Sequence, residues 1–233
     1  MLYTPPVIAV LYDVHGNLAA LDAVIADARA AGAEQWVLGG DYALFGAWPA
    51  ETLARLRELE PAVQVRGNVD RWTGDPAGAP GDAELQGAIA DCRAALGDEL
   101  AAGLAALPFE AEIAGARIVH ASPVSDVRGF SPEAAGEDAE LLAGVTHARL
   151  VFGHTHVQFR RTVGETELVN PGSVGVPLDG DPRAAYALVD PDGGLELRRV
   201  GYDTAAAVAQ LREAFGERAW VREISGRLER SAP

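Results

Sequence analysis

Two closely spaced histidines, His154 and His156, follow an apolar run in the segment VFGHTHV (151–157). The chain has only five histidines, so two of its residues best suited to metal binding and proton transfer lie here. In extended backbone, side chains two positions apart point to the same side, which predicts that both imidazoles face one point. The segment therefore indicates a metal site, provided that other ligands gather around it.

Further residues with the chemistry of metal ligands follow other apolar runs, namely Asp13 and His15, Asp41, Asn68, and His120. In α/β sheets, ligands bind beyond the carboxyl ends of the strands, so we expect these side chains to converge with the two histidines. Each has a simpler explanation by itself: a helix cap for either aspartate, a turn residue for the asparagine, and a hydrogen-bonded core residue for the histidine of the later strand. Their joint occurrence favours a metal site.

The ligand set is too large for one ion. Two carboxylates, one amide oxygen and four imidazoles suit two ions of intermediate hardness, such as Mn, Fe or Zn. The lack of cysteine among them argues against a structural zinc site. Two ions held about 3.5–4 Å apart can stabilise both the attacking and the leaving oxygen of a phosphoryl displacement.

Composition limits the class of protein. The 233 residues carry a formal net charge of −15, which disfavours duplex nucleic acid and anionic membranes as partners. We expect a small phosphorylated substrate, no long nucleic acid and no membrane, and a homo-oligomer stays open. All nineteen basic residues are arginine, which excludes a Schiff-base or Walker-type lysine. The single cysteine, Cys92, is interpreted as a packing residue, and the lack of a signal peptide or long apolar run favours a cytoplasmic location.

The elements that must position the candidate ligands alternate in the first half of the chain. Apolar runs predict strands at 7–13, 35–40 and 62–67, and helical periodicity predicts helices at 18–32 and 49–60. This alternation indicates an α/β domain.

The second half predicts both helices and hairpins, and a single domain over 1–233 is expected because no linker or repeat interrupts it. Helices are predicted near 83–96, 98–106 and 132–143, a strand at 148–155, and a charged helical tail at 203–228. Hairpin turns are predicted at 114–115, 164–165 and 192–194.

Six short motifs occur in order between residues 13 and 173: DVHGN, GGD, GNVD, VH, GHTH and NPGS. In this order they resemble the calcineurin-like metallophosphoesterases, and most closely their small single-domain bacterial branch. The resemblance implies two packed mixed β-sheets flanked by helices, with a dinuclear metal site at the edge where the strands end. It also implies a phosphoesterase, most of all a phosphodiesterase, that acts by direct in-line attack of a metal-bridging hydroxide.

The resemblance assigns roles to individual residues. It implies a first metal held by Asp13, His15 and His156, a second held by Asn68, His120 and His154, and Asp41 as the bridge between them. Asp41, Asn68 and His120 are then the catalytic residues. Position along the chain adds two candidate substrate-binding residues, Asn17 at the start of the first predicted helix and Arg128 close to the motifs. Helix capping is the alternative for Asn17, and a solvated or structural role is the alternative for Arg128. The metals are expected to be two Mn²⁺ ions, with Fe, Zn or Ni as alternatives.

Val69 departs from the family pattern, because larger phosphatases of the family have a histidine after the asparagine. That histidine is thought to protonate the leaving oxygen or to steady the transferring group, and valine can do neither. Two alternatives therefore stay open beside the phosphodiesterase. One is a phosphomonoesterase that acts on nucleotides or proteins, and the other is a metal-binding interaction scaffold with little or no catalysis.

Overall fold

The structure, a computed structural model, describes residues 5–233, and its strands form two five-stranded sheets. In order across the first sheet lie β10 (Leu195–Val200), β9 (Ala184–Val189), β1 (Val7–Leu11), β2 (Ala33–Leu38) and β3 (Ala62–Gln64). In order across the second lie β4 (Glu110–Ile113), β5 (Ala116–Val119), β6 (Arg149–Val151), β8 (Thr166–Asn170) and β7 (Phe159–Val163).

The helices cover the outer faces of these sheets. They are α1 (Leu18–Ala30), α2 (Pro49–Arg57), α3 (Asn68–Gly74), α4 (Ala83–Leu96), α5 (Asp98–Ala105), α6 (Asp138–Leu141), α7 (Thr204–Phe215) and α8 (Ala219–Arg230). Within the described residues, no helix is both long and apolar enough to cross a membrane.

Both sheets are mixed, as predicted. Strands β1, β2 and β3 run parallel, whereas β9 is antiparallel to both β1 and β10. In the second sheet β5, β6 and β8 run parallel. The edge strands β4 and β7 are antiparallel to their neighbours, β5 and β8 respectively. The parallel strands of each sheet therefore end at the same edge, where the loops that follow them lie close together.

The two sheets pack face to face because alternate side chains of each strand point into the space between them. Ile8 and Val10 of the first sheet and Ile118 of the second belong to this inner core. The buried Tyr12 hydroxyl lies 3.0 Å from the carbonyl oxygens of both Val119 and Val151, which ties the end of β1 to the second sheet.

The outer face of the first sheet packs against α1, α2, α4, α7 and α8. The buried residues of α1 (Ala20, Leu21, Val24, Ile25 and Ala28) recur at helical spacing, as predicted from the sequence. Cys92 is buried in the same core, where burial raises the pKa of its thiol to about 12. This agrees with the predicted packing role.

The three predicted hairpins are confirmed, but the helix predicted at 132–143 is wrong except for α6. Gly136 lies in the middle of that segment, and glycine weakens a helix interior. Asp138 instead accepts a hydrogen bond from the Ala135 backbone N–H and pairs with the guanidinium of Arg161. The helical tail is also divided, at Gly216, which has a φ of 70°.

Candidate metal centre

All seven predicted ligands lie at one edge of the sandwich, in the segments that follow five parallel strands. Asp13 and His15 follow β1, Asp41 follows β2, Asn68 begins α3 after β3, His120 follows β5, and His154 and His156 follow β6. Six of the seven are buried, and only His154 is partly exposed. The structure thus brings together residues that lie up to 143 positions apart, since β1 and β6 end at the same edge.

A first cluster consists of Asp13, His15 and His156, each of which offers a ligand atom within 4.8 Å of the others. The Nε2 atoms of the two histidines are 3.1 Å apart, and Asp13 Oδ1 is 3.5 Å from His156 Nε2. The arrangement surrounds a small space with two nitrogens and one carboxylate oxygen.

A second cluster consists of Asp41, His120 and His154, whose ligand atoms also lie within 4.8 Å of one another. Asn68 completes it, because its side-chain oxygen is 3.0 Å from both His120 Nε2 and His154 Nδ1. Asp41 lies at the boundary of the two clusters, with Oδ2 3.3 Å from His120 Nε2 and 3.8 Å from His15 Nε2.

The two histidines of GHTH do not face one point, so the prediction made from their spacing is wrong. His156 belongs to the first cluster and His154 to the second, as the family resemblance implied. The backbone explains the difference, because both residues are in the left-handed region, with φ values of 67° at His154 and 58° at His156. The rule for extended backbone does not apply there.

Left-handed backbone recurs at Asp13 (φ 54°), His15 (φ 49°) and Asp41 (φ 58°), so five of the seven candidate ligands adopt it. A non-glycine residue in this region costs about 1–2 kcal/mol, and such strain is concentrated at functional sites. Backbone hydrogen bonds hold the conformation: the N–H groups of Asp13 and His15 donate to the carbonyls of Gly40 and Asp41, at 3.1 and 2.9 Å.

Backbone carbonyls fix how each imidazole is turned. Nδ1 lies 3.0 Å from the Leu44 carbonyl in His15, 2.9 Å from that of Gly39 in His120, and 2.7 Å from that of Val176 in His156. These nitrogens donate, which turns each Nε2 atom inward, where the neutral imidazole offers its lone pair to a cation. His154 is reversed: its Nε2 lies 3.1 Å from the Val127 carbonyl and its Nδ1 points inward.

Carboxylate, amide and imidazole groups face one another across a small buried space, which is the arrangement that a cation requires. Asp13 Oδ1 is buried without a hydrogen-bond partner, and the Asn68 amide lies 3.0 Å from two imidazole nitrogens. Leaving a buried carboxylate unpaired is costly, and carboxylate, amide and imidazole together suit divalent ions of intermediate hardness. The residues present therefore fit two such ions.

Charge within the site shifts the pKa values of its imidazoles in opposite directions. Burial alone would lower the pKa of His120, but the Asp41 carboxylate beside it raises that pKa to about 10. Burial, together with the neighbouring His156, lowers the pKa of His15 to about 4. The carboxylates thus attract positive charge to the boundary between the clusters.

A second layer of polar groups holds the ligand loops. Asp70 accepts hydrogen bonds from the backbone N–H groups of Asp41 (2.7 Å), Tyr42 (3.0 Å) and Gly67 (2.8 Å). In the NPGS motif, the Asn170 amide donates to the Gly153 carbonyl at 2.9 Å, and the Ser173 hydroxyl donates to the Asp13 carbonyl at 2.7 Å.

Sequence reasoning gave no supporting role to Asn170 and Ser173. Their sequence signal is the NPGS motif, which indicates the family but not the role of either side chain.

The two predicted substrate-binding residues are engaged elsewhere. The Asn17 oxygen accepts from the Ala20 backbone N–H as the cap of α1, and its amide nitrogen lies 2.9 Å from the Gly175 carbonyl and 3.2 Å from the Tyr202 hydroxyl. Asn17 therefore has the helix-capping role that was the alternative to substrate binding.

Arg128 is exposed, and its guanidinium pairs with Glu137 and Glu140. A substrate role for Asn17 and Arg128 stays a prediction.

The family model of the calcineurin-like phosphoesterase superfamily domain matches residues 7–194, and this range includes every candidate ligand. The chain belongs to this superfamily. Divalent metal ions are characteristic of the family, and the two clusters are where this calcineurin-like phosphoesterase would hold them.

Several relatives of this phosphoesterase share most of its length. The Methanocaldococcus jannaschii protein MJ0912 is 30% identical over 91% of the chain and 96% of its own length. The crystal structure of a metallophosphoesterase from Sphaerobacter thermophilus is 29% identical, with a TM-score of 0.81 over 97% of this chain and 99% of that one. The phosphodiesterase YfcE of Escherichia coli is 46% identical, but over only 18% of this chain and 23% of its own.

Gly67 is a position at which the second cluster tolerates no side chain. A Cβ there would lie 1.9 Å from Asp41 Oδ1 and 2.8 Å from the Asp41 nitrogen. We expect Gly67→Ala to displace Asp41 and to weaken Mn²⁺ binding by about 10–100-fold, measured by calorimetric titration of the metal-free protein. Gly201→Ala is the matched control, since a Cβ there meets nothing within 4 Å. Unchanged Mn²⁺ affinity in a folded Gly67→Ala protein would contradict the placement of Asp41.

Proposed function

We propose that this phosphoesterase uses two divalent metal ions, Mn²⁺ in the first place, to hydrolyse phosphodiesters. The observation that carries the proposal is the position of Asp41 Oδ2, which lies within 4 Å of an imidazole from each cluster. A carboxylate at that boundary suits two ions held close together, as in the phosphoesterases that use paired metals.

The ligand residues divide the work between charge and direction. Asp13 and Asp41 supply the negative charge that attracts cations into a buried site, and His15, His120 and His156 aim lone pairs at them because their Nδ1 atoms are held by carbonyls. Cations held there supply Lewis acidity, which lowers the pKa of water and neutralises charge on the transferring phosphoryl group. The buried ligands keep this geometry fixed, so little reorganisation is needed during reaction.

Charge favours a diester over a monoester as the substrate. A monoester dianion needs more positive charge than a diester monoanion, and the protein carries a net charge of −15. Two of the arginines near the motifs are already paired with carboxylates: Arg71 makes a two-point pair with Asp126, at 2.7 and 2.9 Å, and Arg128 pairs with two glutamates. The name of the relative YfcE, a phosphodiesterase, supports the same preference.

A metal-by-substrate panel tests the proposal. The metal-free protein is expected to hydrolyse bis-p-nitrophenyl phosphate when Mn²⁺ is added, and p-nitrophenyl phosphate more slowly, with Fe²⁺, Zn²⁺ and Ni²⁺ run in parallel. Asp41→Asn should lower kcat/KM by at least about a hundredfold, because it weakens the charge shared by both ions. Asp192→Asn, at the exposed turn between β9 and β10, is the matched control and should not change it.

Three results would overturn the proposal. Hydrolysis that survives Asp41→Asn would place the activity elsewhere. A metal-loaded protein that cleaves none of these esters would instead support the interaction scaffold, and faster cleavage of the monoester would support a phosphomonoesterase.

The valine at position 69 predicts that the rate of hydrolysis depends strongly on the leaving group. Its side chain is buried, and its backbone N–H donates to Asp41 Oδ1 at 3.1 Å, so it offers no proton to a departing oxygen. General-acid catalysis is worth about 10²–10⁴ in rate. We therefore expect kcat for a series of phosphodiesters to fall steeply as the leaving-group pKa rises, with alkyl esters far slower than aryl esters. Equal rates for alkyl and aryl esters would show that another group supplies the proton.

A further inference from the structure

An apolar cavity of about 210 Å³ lies beside the edge strand β3, on the helix-covered side of the first sheet. One wall comes from Leu53 and Leu56 of α2, and the opposite wall from Leu100 and Leu104 of α5. Tyr42 also lines it. The cavity belongs to neither metal cluster, because none of the seven candidate ligands lines it.

Two polar side chains, Arg57 and Gln64, join this otherwise apolar lining. The neighbouring Arg55 takes both nearby carboxylates, those of Asp22 and Glu58, and within residues 5–233 Arg57 has no ion pair. Arg57 is exposed, so its guanidinium is available to a ligand at the cavity.

Gln64 is unusual for its position in the sheet. Alternation along β3 places it on the same face as Ala62, which packs against the helix-side core. An apolar residue would be expected on that face, because strands covered by helices are apolar on the covered side. The strand instead presents an amide, with one donor and one acceptor group, to the cavity beside Arg57.

The volume and the polar pair together specify the ligand. An engineered apolar cavity of about 150 Å³ in another protein holds benzene, so about 210 Å³ holds roughly eight carbon atoms. Guanidinium groups form two-point hydrogen bonds with carboxylates. We propose that this cavity binds a small amphipathic carboxylate, with an aliphatic chain of about six to eight carbons between α2 and α5 and its carboxylate on Arg57.

Binding of sodium octanoate, followed by calorimetric titration of the metal-loaded protein, tests the proposal. Octanoate should bind saturably, each methylene removed should weaken binding about fourfold, and chains longer than the cavity should gain nothing more. Octanol, which lacks the charge, should bind at least about tenfold more weakly. Inorganic phosphate should not displace octanoate, because phosphate would occupy the metal centre.

Matched variants separate this cavity from unspecific binding. Arg57→Gln should weaken octanoate binding about tenfold, whereas Arg29→Gln, at the equivalent exposed position in the last turn of α1, should not. Gly103→Leu should abolish binding, since Gly103 lines the cavity and a Cβ there meets nothing within 4 Å. Ala102→Leu, which adds the same side chain at the exposed neighbouring position, is the control for Gly103→Leu.

Three results would overturn the proposal: no saturable octanoate binding, equal affinity for octanol, or unchanged affinity in both Arg57→Gln and Gly103→Leu. The hydrolysis of bis-p-nitrophenyl phosphate is measured on the same proteins. Because the cavity does not depend on the metal centre, a failure to bind octanoate would not contradict the proposed hydrolysis, and a failure to hydrolyse the ester would not contradict the proposed binding site.

Discussion

The rest of the structure depends on a group of buried polar side chains that face one another across one small space. Asp13 Oδ1 is buried there without a hydrogen-bond partner, and the Asn68 amide and the inward nitrogens of four imidazoles converge on the same space. An uncompensated buried carboxylate is among the costliest features that a fold can contain, and protons or cations are what can balance it. The charge, the ligand types and the positions at the strand ends all become understandable once divalent cations are taken as the compensating charge.

The fold bears a conformational cost to build this site, and hydrogen bonds from elsewhere in the chain offset it. Left-handed backbone at five ligand positions would relax in an isolated peptide. Asp70 holds the Asp41 turn through three backbone N–H groups, and Ser173 holds the Asp13 carbonyl from a segment 160 positions later in the chain. The ligand geometry is therefore a property of the assembled sandwich, and no single segment encodes it.

The regular elements could be predicted where the local pattern is strong, as in β1, α1 and the hairpin at Ala114–Gly115. The segment 132–143 could not, because its conformation depends on the tertiary pair between Asp138 and Arg161. The gathering of seven ligands at one edge followed from the rule on strand ends, whereas their division between two clusters came from the family resemblance. Left-handed backbone at His154 and His156 turns the two imidazoles apart, and no side-chain spacing reveals that.

Anomalous scattering tests the central claim most directly. Crystals grown with Mn²⁺, measured on both sides of the manganese absorption edge, should give two anomalous peaks about 3.5–4 Å apart. One should lie among Asp13, His15 and His156, and the other among Asn68, His120 and His154, with Asp41 between them. Absence of both peaks in crystals that contain the metal, or peaks located away from these side chains, would contradict the account.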